Sequence, residues 1–429
     1  MRVGRRLAFA VFIIAVALLM AEGGLRLYFA LAKDPPHSRY VRHQDGSYRL
    51  RPGPFWEDNR DPNDRINAYG FRDVEHSRQK QAGFYRIVGI GDSFVLGAVP
   101  INENFLRVTE GTLNDHAPID SIRFEMVMMG LGGYEPENEL NILRSTALDL
   151  GPDLVVLCFF VGNDVTGISL RGEVLGGELY FTRSSNIWHN LLRKSRLFVL
   201  AEKAFVTRWR CRNLRSETGR DASPTDQQIE PGGEAAGFHP TFYYLLIQKK
   251  RLPVYGRAPS EHVESLWTKA EGVLREFDRL CRQASVPWIL LLIPAEEQVD
   301  PEVRRGVWEA LTLDPDAYDL DAPQRRLKLF SQSMGIEVLD LLPDFRAAHD
   351  AGERLYIPND THWNSRGNRL AGEVLARRIR DRILAEAEQG ALGSVPQQSA
   401  PGGDAGKFDL TLRHQKDDGP RTRRSNLDE

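Results

Sequence analysis

The feature that most constrains this chain is an alternation beginning near Arg86. Short apolar runs rich in β-branched and aromatic residues occupy 86–90, 124–128, 154–160, 288–293 and 337–341. Between them lie stretches with helical periodicity, among them 136–148, 262–283 and 365–385. In the last of these Leu370, Val374, Leu375, Ile379 and Ile383 form one apolar stripe, with Asn364 or Ser365 placed to cap it. A strand that is apolar along its whole length has both faces covered, and strands alternating with helices connect as parallel crossovers. The pattern therefore predicts an α/β domain with a five-stranded parallel sheet over residues 84–387. It breaks between 164 and 261, which reads as a large insertion.

Within that insertion, 188–215 carries Arg193, Lys194, Arg196, Lys203, Arg208, Arg210, Arg212 and Arg215 against only Glu202. Trp188, Leu191, Leu192, Phe198, Phe205 and Trp209 approximate one helical face. Such a basic amphipathic helix either lies on an anionic surface or caps the core with a solvated face. Residues 216–237 read as a flexible loop, and 388–429, rich in Gly, Pro, Gln and charge, as a disordered tail. Residues 32–83 are polar and proline-punctuated, and read as a connecting segment.

The amino terminus opens with Arg2, Arg5 and Arg6 and runs apolar from 7 to 21, then again from 25 to 31. A positive start before an apolar run is the layout of an export signal. No convincing small-x-small cleavage site follows, so an uncleaved transmembrane anchor over 1–31 is preferred to a cleaved signal peptide. Positive charge held inside would place the remainder outside the cytoplasm, in the periplasm. The net charge of −3 over 429 residues excludes a nucleic-acid binder that works by overall basicity. Cys158, Cys211 and Cys281 sit in dissimilar contexts, which argues against a disulfide scaffold.

In an open parallel sheet, ligands bind beyond the carboxyl ends of the strands. There the chain places Gly91-Asp92-Ser93-Phe94, Gly130-Leu131-Gly132-Gly133-Tyr134, Gly162-Asn163-Asp164 and, past the fifth strand, Asp360-Thr361-His362-Trp363. Each alone is ordinary turn or surface chemistry. Together they supply the parts of acyl transfer: Ser93 as nucleophile, His362 as proton acceptor, and Asp360 to hold the imidazole. Asp360 lies two residues from His362, and in an extended segment both side chains point the same way. The backbone N–H groups of Ser93 and Gly133 and the amide of Asn163 could receive the developing oxyanion. No metal or cofactor is expected: neither His-Glu-x-x-His nor a paired Cys-x-x-Cys occurs, and Phe94 interrupts a dinucleotide fingerprint. The absence of Gly-x-Ser-x-Gly argues against the α/β-hydrolase fold.

These blocks resemble the SGNH, or GDSL-type, hydrolase family, over about residues 67–383, and Gly70-Phe71-Arg72 resembles a run found before the serine strand in exported bacterial members. The resemblance implies a flavodoxin-like three-layer sandwich, a Ser93–His362–Asp360 triad and an oxyanion hole of Ser93, Gly133 and Asn163. One departure stands out. The commoner family spacing Asp-x-x-His would put the acid at position 359, which is Asn359 here. The Asp-x-His-Trp form resembles periplasmic acetyltransferases that modify alginate and related polysaccharides. Three readings follow: an esterase acting on an O-acyl carbohydrate or lipid, an acyltransferase working with polysaccharide-modification machinery, and a membrane-anchored binding protein without turnover.

Overall fold

The computed structural model describes residues 2–31, 39–55 except 44 and 46, 64–117, 122–168, 171–175, 178–182, 192, 195–198, 200–201 and 238–388. The chain divides into Met1–Ala391 and Leu392–Glu429. The expected tail, the loop at 216–237 and most of the basic helix at 188–215 lie outside the described residues.

Five strands form the central sheet: β1 (Phe84–Gly91), β2 (Arg123–Gly130), β3 (Leu154–Phe160), β4 (Trp288–Ile293) and β5 (Glu337–Asp340). All neighbours are parallel, in the order β5-β4-β3-β1-β2. The strands coincide with the apolar runs because Val, Ile, Leu and Phe must leave water on both faces: every residue of β3 and β4 is buried. From β1 the chain moves outward to β2, then returns to pair β3 on the other side of β1. That reversal is the topological switch point, where crossovers diverge and leave a crevice at the carboxyl ends of β1 and β3.

Helices after the first cover the sheet. The first, α1 (Arg2–Leu31), instead exposes its apolar side chains and contains an apolar stretch, Phe9–Tyr28, long enough to cross a membrane. One-turn α2 (Ser93–Leu96) leaves β1, followed by α3 (Phe105–Asp115) and, after β2, α4 (Pro136–Ile142). Further along the chain come α5 (Phe242–Arg251) and α6 (Glu261–Gln283). Ser260 caps α6 through the amide of Val263 at 3.3 Å, and Val263, Leu266, Trp267, Ala270, Leu274, Phe277 and Cys281 bury one face. Then follow α7 (Glu296–Val299), α8 (Pro301–Leu311), α9 (Ala322–Met334), α10 (Leu342–Asp350) and α11 (Ser365–Glu388).

The stripe expected on α11 is buried at Val374, Leu375, Ile379 and Ile383, and Leu370 is half-buried. Asn364, not Ser365, is the cap, accepting from the amides of Arg366 (2.9 Å) and Gly367 (3.1 Å). Helix α11 lies against α3: the Asn368 side chain accepts from the Phe105 amide at 3.1 Å and Thr109 Oγ1 donates to the Gly372 carbonyl at 3.1 Å. These bonds seat the start of α11, and with it the loop carrying His362, beside the helix that follows α2.

Between α1 and β1, residues 39–55 and 64–83 form short antiparallel pairs, Tyr40–Arg42 with Tyr48–Leu50 and Gly53–Pro54 with Arg65–Ile66. Tyr48, Leu50, Ile66 and Phe71 are buried there, as are Arg49, Asp64, Arg72 and Asp73. A second hairpin, Arg171–Leu175 with Glu178–Thr182, stands within the insertion.

Candidate active site

Strand β1 ends in Gly91, and Asp92 opens α2 as its N-cap, accepting from the Phe94 amide at 2.9 Å. Ser93 is therefore the first helical residue, with its own N–H among the unpaired donors at a helix start. The tight packing behind it needs a residue without a side chain. A Cβ on Gly130, the last residue of β2, would lie 2.3 Å from Val95 Cβ and 2.9 Å from the Asp92 carbonyl.

His362 reaches this serine from 269 positions away in sequence, with Nε2 at 2.8 Å from Ser93 Oγ. Its other ring nitrogen, Nδ1, is hydrogen-bonded to Asp360 Oδ1. That bond is the largest influence on Asp360 and holds its carboxyl below the ordinary carboxylate range, so the group stays ionised. An ionised acceptor requires a proton on Nδ1, which leaves Nε2 free to accept from the serine hydroxyl. The hydroxyl, imidazole and carboxylate thus stand in one chain of hydrogen bonds.

The loop achieves this differently from the extended geometry expected. Thr361 takes φ +70° and Asn359 φ +60°, within a turn closed by Asp360 N donating to the Ile357 carbonyl at 3.1 Å. Asp360 meets the ring because the backbone turns at Thr361, an uncommon conformation for a β-branched residue. The side chain of Asn359 is occupied elsewhere. Its Oδ1 accepts from the Thr241 amide at 2.7 Å and its Nδ2 donates to the His239 carbonyl at 3.4 Å, fastening the residues just before α5. The Phe94 ring lies 5.2 Å from the His362 ring and 4.8 Å from that of Trp363, and Trp363 is wedged against Phe105 and Phe345. The imidazole thereby has an aromatic floor.

Asn163 follows β3 and donates from Nδ2 to Asp92 Oδ2 at 2.9 Å. One N–H of its amide is spent there, and the geometry turns the NH₂ group toward the Asp92–Ser93 turn. Asp92 is fully buried, and burial raises its carboxyl above the ordinary range despite the bonds from Phe94 and Asn163. Behind it, burial likewise pushes Glu139 and Asp164 well up, and both oxygens of Glu139 are without a hydrogen-bond partner. Gly133 sits in the turn after β2 with φ +77°, the left-handed region that favours glycine. The turn is closed by the Tyr134 amide donating to the Leu131 carbonyl at 3.0 Å. The Arg251 guanidinium lies 4.8 Å over the Phe160 ring, which in turn packs 4.6 Å from Phe94.

The structure thus joins Ser93, His362 and Asp360 by hydrogen bonds and links Asn163 to the serine turn through Asp92. Gly133 is placed in the loop beyond the adjoining strand β2. Asp92 is the residue that the sequence reading passed over. Its signal was legible: an aspartate directly before a helix start is a favoured cap. Among the described residues no group of three His, Cys, Asp or Glu side chains is arranged to hold a metal ion.

Residues 259–426 match the family model of the SGNH hydrolase-like domain of the acetyltransferase AlgX. This range includes Asp360 and His362. No curated protein matches the sequence. Among solved structures, the acetyl xylan esterase AlAXEase is similar at 14% identity over 68% of this chain and 99% of its own, with a TM-score of 0.36. An acetyl-xylooligosaccharide esterase from Geobacillus is similar at 13% identity over 69% and 94%, with a TM-score of 0.37. The lipase/acylhydrolase from Enterococcus faecalis is similar at 12% identity over 69% and 96%, with a TM-score of 0.33. Sheet order and family-model match agree on an SGNH hydrolase-like α/β fold.

Proposed function

We propose that this chain is a serine acyl-transfer enzyme, held to a membrane by α1, that acts outside the cytoplasm on O-acyl carbohydrate esters. The observation that carries the reading is the hydrogen-bonded chain from Ser93 Oγ through His362 to Asp360. In the first half-reaction His362 Nε2 takes the serine proton as Oγ bonds to the ester carbonyl carbon. The carbonyl oxygen becomes an oxyanion and is received by the N–H groups of Ser93 and Gly133 and the free N–H of Asn163. Collapse breaks the bond to the alcohol, which leaves with the proton from His362, and Ser93 is left acylated. Asp360 stays ionised throughout and stabilises the imidazolium.

In the second half-reaction His362 deprotonates the incoming nucleophile and returns the proton to Ser93. Water as nucleophile makes the enzyme an esterase. A sugar hydroxyl makes it a transferase, and the match of 259–426 to an acetyltransferase domain favours keeping this second reading. Two of the similar structures are an acetyl xylan esterase and an esterase active on acetylated mannans, which supports an acetylated polysaccharide here. Arg5 and Arg6 precede the apolar stretch of α1, and positive charge on that side supports an extracytoplasmic catalytic domain.

The test supplies an aryl acetate donor with and without oligosaccharide acceptor, using the native chain and Ser93→Ala. Acetate release by the native chain that is lost in a folded Ser93→Ala variant supports the enzyme. Acetylated acceptor supports the transferase, and acetate alone supports the esterase. Equal turnover in both proteins refutes Ser93 as the nucleophile, and none in either refutes the enzyme and leaves a binding protein.

A further inference from the structure

We propose that two pieces of chain preceding the sheet, Tyr48–Leu50 and residues 64–72, form a strap that sets the two backbone donors of the oxyanion hole, with Arg72 and Tyr134 as positioning residues. The inference rests on the serine reading above but concerns groups that touch no substrate. It begins from backbone bookkeeping. A one-turn helix such as α2 has carbonyls that no intrahelical amide can satisfy, and buried carbonyls need partners.

Here each carbonyl from Ser93 to Gly97 has one. Ser93 O accepts from the Gly97 amide at 2.9 Å, and Asn104 Nδ2 donates to Phe94 O (3.3 Å) and Val95 O (3.1 Å). The remaining carbonyls belong to Arg72: Nη1 donates to Leu96 O at 3.1 Å and Gly97 O at 2.9 Å, and Nη2 to Val99 O at 2.9 Å. Arg72 is itself buried and held by a two-pronged ion pair to Asp64 at 2.6 and 2.7 Å, over the ring of Phe55. A planar fork fixed at one end and bonded to three carbonyls at the other sets where α2 sits, and Ser93 heads that helix.

The second donor is fixed from the same strap. Tyr134, directly after Gly133, is fully buried and donates its hydroxyl to the Tyr48 carbonyl at 2.5 Å, with the two rings 5.1 Å apart edge to face. Arg49 stands beside it, bonded to Asp45 at 3.0 Å and lying 4.6 Å over the Phe71 ring. The two clamps are one object. Leu50 N donates to the Gly70 carbonyl at 3.0 Å, and a Cβ at Gly70 would fall 2.6 Å from Arg49 Cβ. Gly70 has φ +82°, so both its conformation and its neighbour demand glycine. Ser93 and Gly133 follow different strands, and the strap ties them across that gap.

The test uses the full chain in detergent with Tyr134→Phe, which removes one hydroxyl and keeps the ring, and Arg72→Lys, which keeps charge but loses the fork. Three readouts are taken: kcat and KM on an aryl acetate, the rate of Ser93 phosphonylation by a fluorophosphonate, and amide hydrogen exchange over 93–97 and 131–134. The strap predicts about 10- to 100-fold lower kcat and phosphonylation rate with KM within about twofold, since misplaced donors act on the transition state. It also predicts faster exchange at both segments from either variant, while the sheet strands keep native protection. A merely structural role would accelerate exchange everywhere and leave kcat per folded molecule intact, and that result overturns the proposal. So does unchanged exchange at 93–97 and 131–134, or failure of both variants to fold. If the native chain neither turns over nor labels, the serine reading falls, and the strap is then decided by exchange alone.

Discussion

Asp360→Asn is the substitution that most sharply tests Asp360, rather than the neighbouring Asn359, as the partner of His362. It keeps the size and shape of the side chain and removes the charge. In the native site a carboxylate contacts the ring nitrogen that becomes part of an imidazolium during acylation. Two opposite unit charges about 4 Å apart are worth about 1 kcal/mol at the dielectric of water and about 4 kcal/mol at an effective dielectric near 20. Asp360 keeps 45% of its side chain exposed and His362 25%, so solvent screening holds the value between those limits. About 2–3 kcal/mol follows, or roughly 30- to 150-fold in kcat, with little change in KM because the charge develops only in the transition state. The comparison is Asn359→Gly, which tolerates φ +60° and removes only the bonds to residues 239 and 241. Its kcat should stay within about threefold of native. Stopped-flow acetate release from an aryl acetate measures both, with circular dichroism to confirm folding. A loss at Asn359→Gly as large as at Asp360→Asn would refute the assignment of the acid.

Two further outcomes follow from the same geometry. Asp92→Asn sets an NH₂ group against that of Asn163 and should turn the Asn163 amide so that its oxygen faces the oxyanion, lowering kcat on the order of 10²-fold, as for a lost donor; a native kcat would sink the role given to Asp92. His76 is buried, which opposes its charge, yet its bonds to Asp73 and Glu125 outweigh that and raise it to about 9. The folded value lies above the unfolded one near 6.5, so this stabilisation is complete below about pH 6.5 and is lost as pH rises through 9, on the order of 3 kcal/mol. Urea unfolding at pH 6 and 9.5 should show that loss in the native chain and much less in His76→Gln; equal pH slopes would contradict it.

The sheet was legible because its signal is strong and local: seven apolar residues in a row, as in Leu154–Phe160, have few alternatives to a buried strand. The strand-end residues were legible because parallel-sheet topology sends them all to one edge. The segment before β1 was not, because hydropathy treats Arg49, Asp64, Arg72 and Asp73 as solvent-facing. They are buried by pairing instead: Arg72 with Asp64, Asp73 with His76 and Arg107. A pairing between residues that are far apart or unevenly spaced leaves no periodic trace. The turn at Thr361 was hidden for a related reason, since a threonine at positive φ contradicts its own propensity and is held there by the surrounding bonds. At position 359 asparagine tolerates such a backbone, and its amide both accepts from the Thr241 amide and donates to the His239 carbonyl, which a carboxylate could not do.

The central claim, that Ser93 carries the acyl group, is tested most directly by mixing the full chain with an aryl acetate, quenching in acid within milliseconds and mapping the peptides by mass spectrometry. One acetyl group on Ser93 is expected, absent from Ser93→Ala and cleared at longer times as acetate or acetylated acceptor appears. An acetyl group on another residue, or turnover with Ser93 never acetylated, would contradict it.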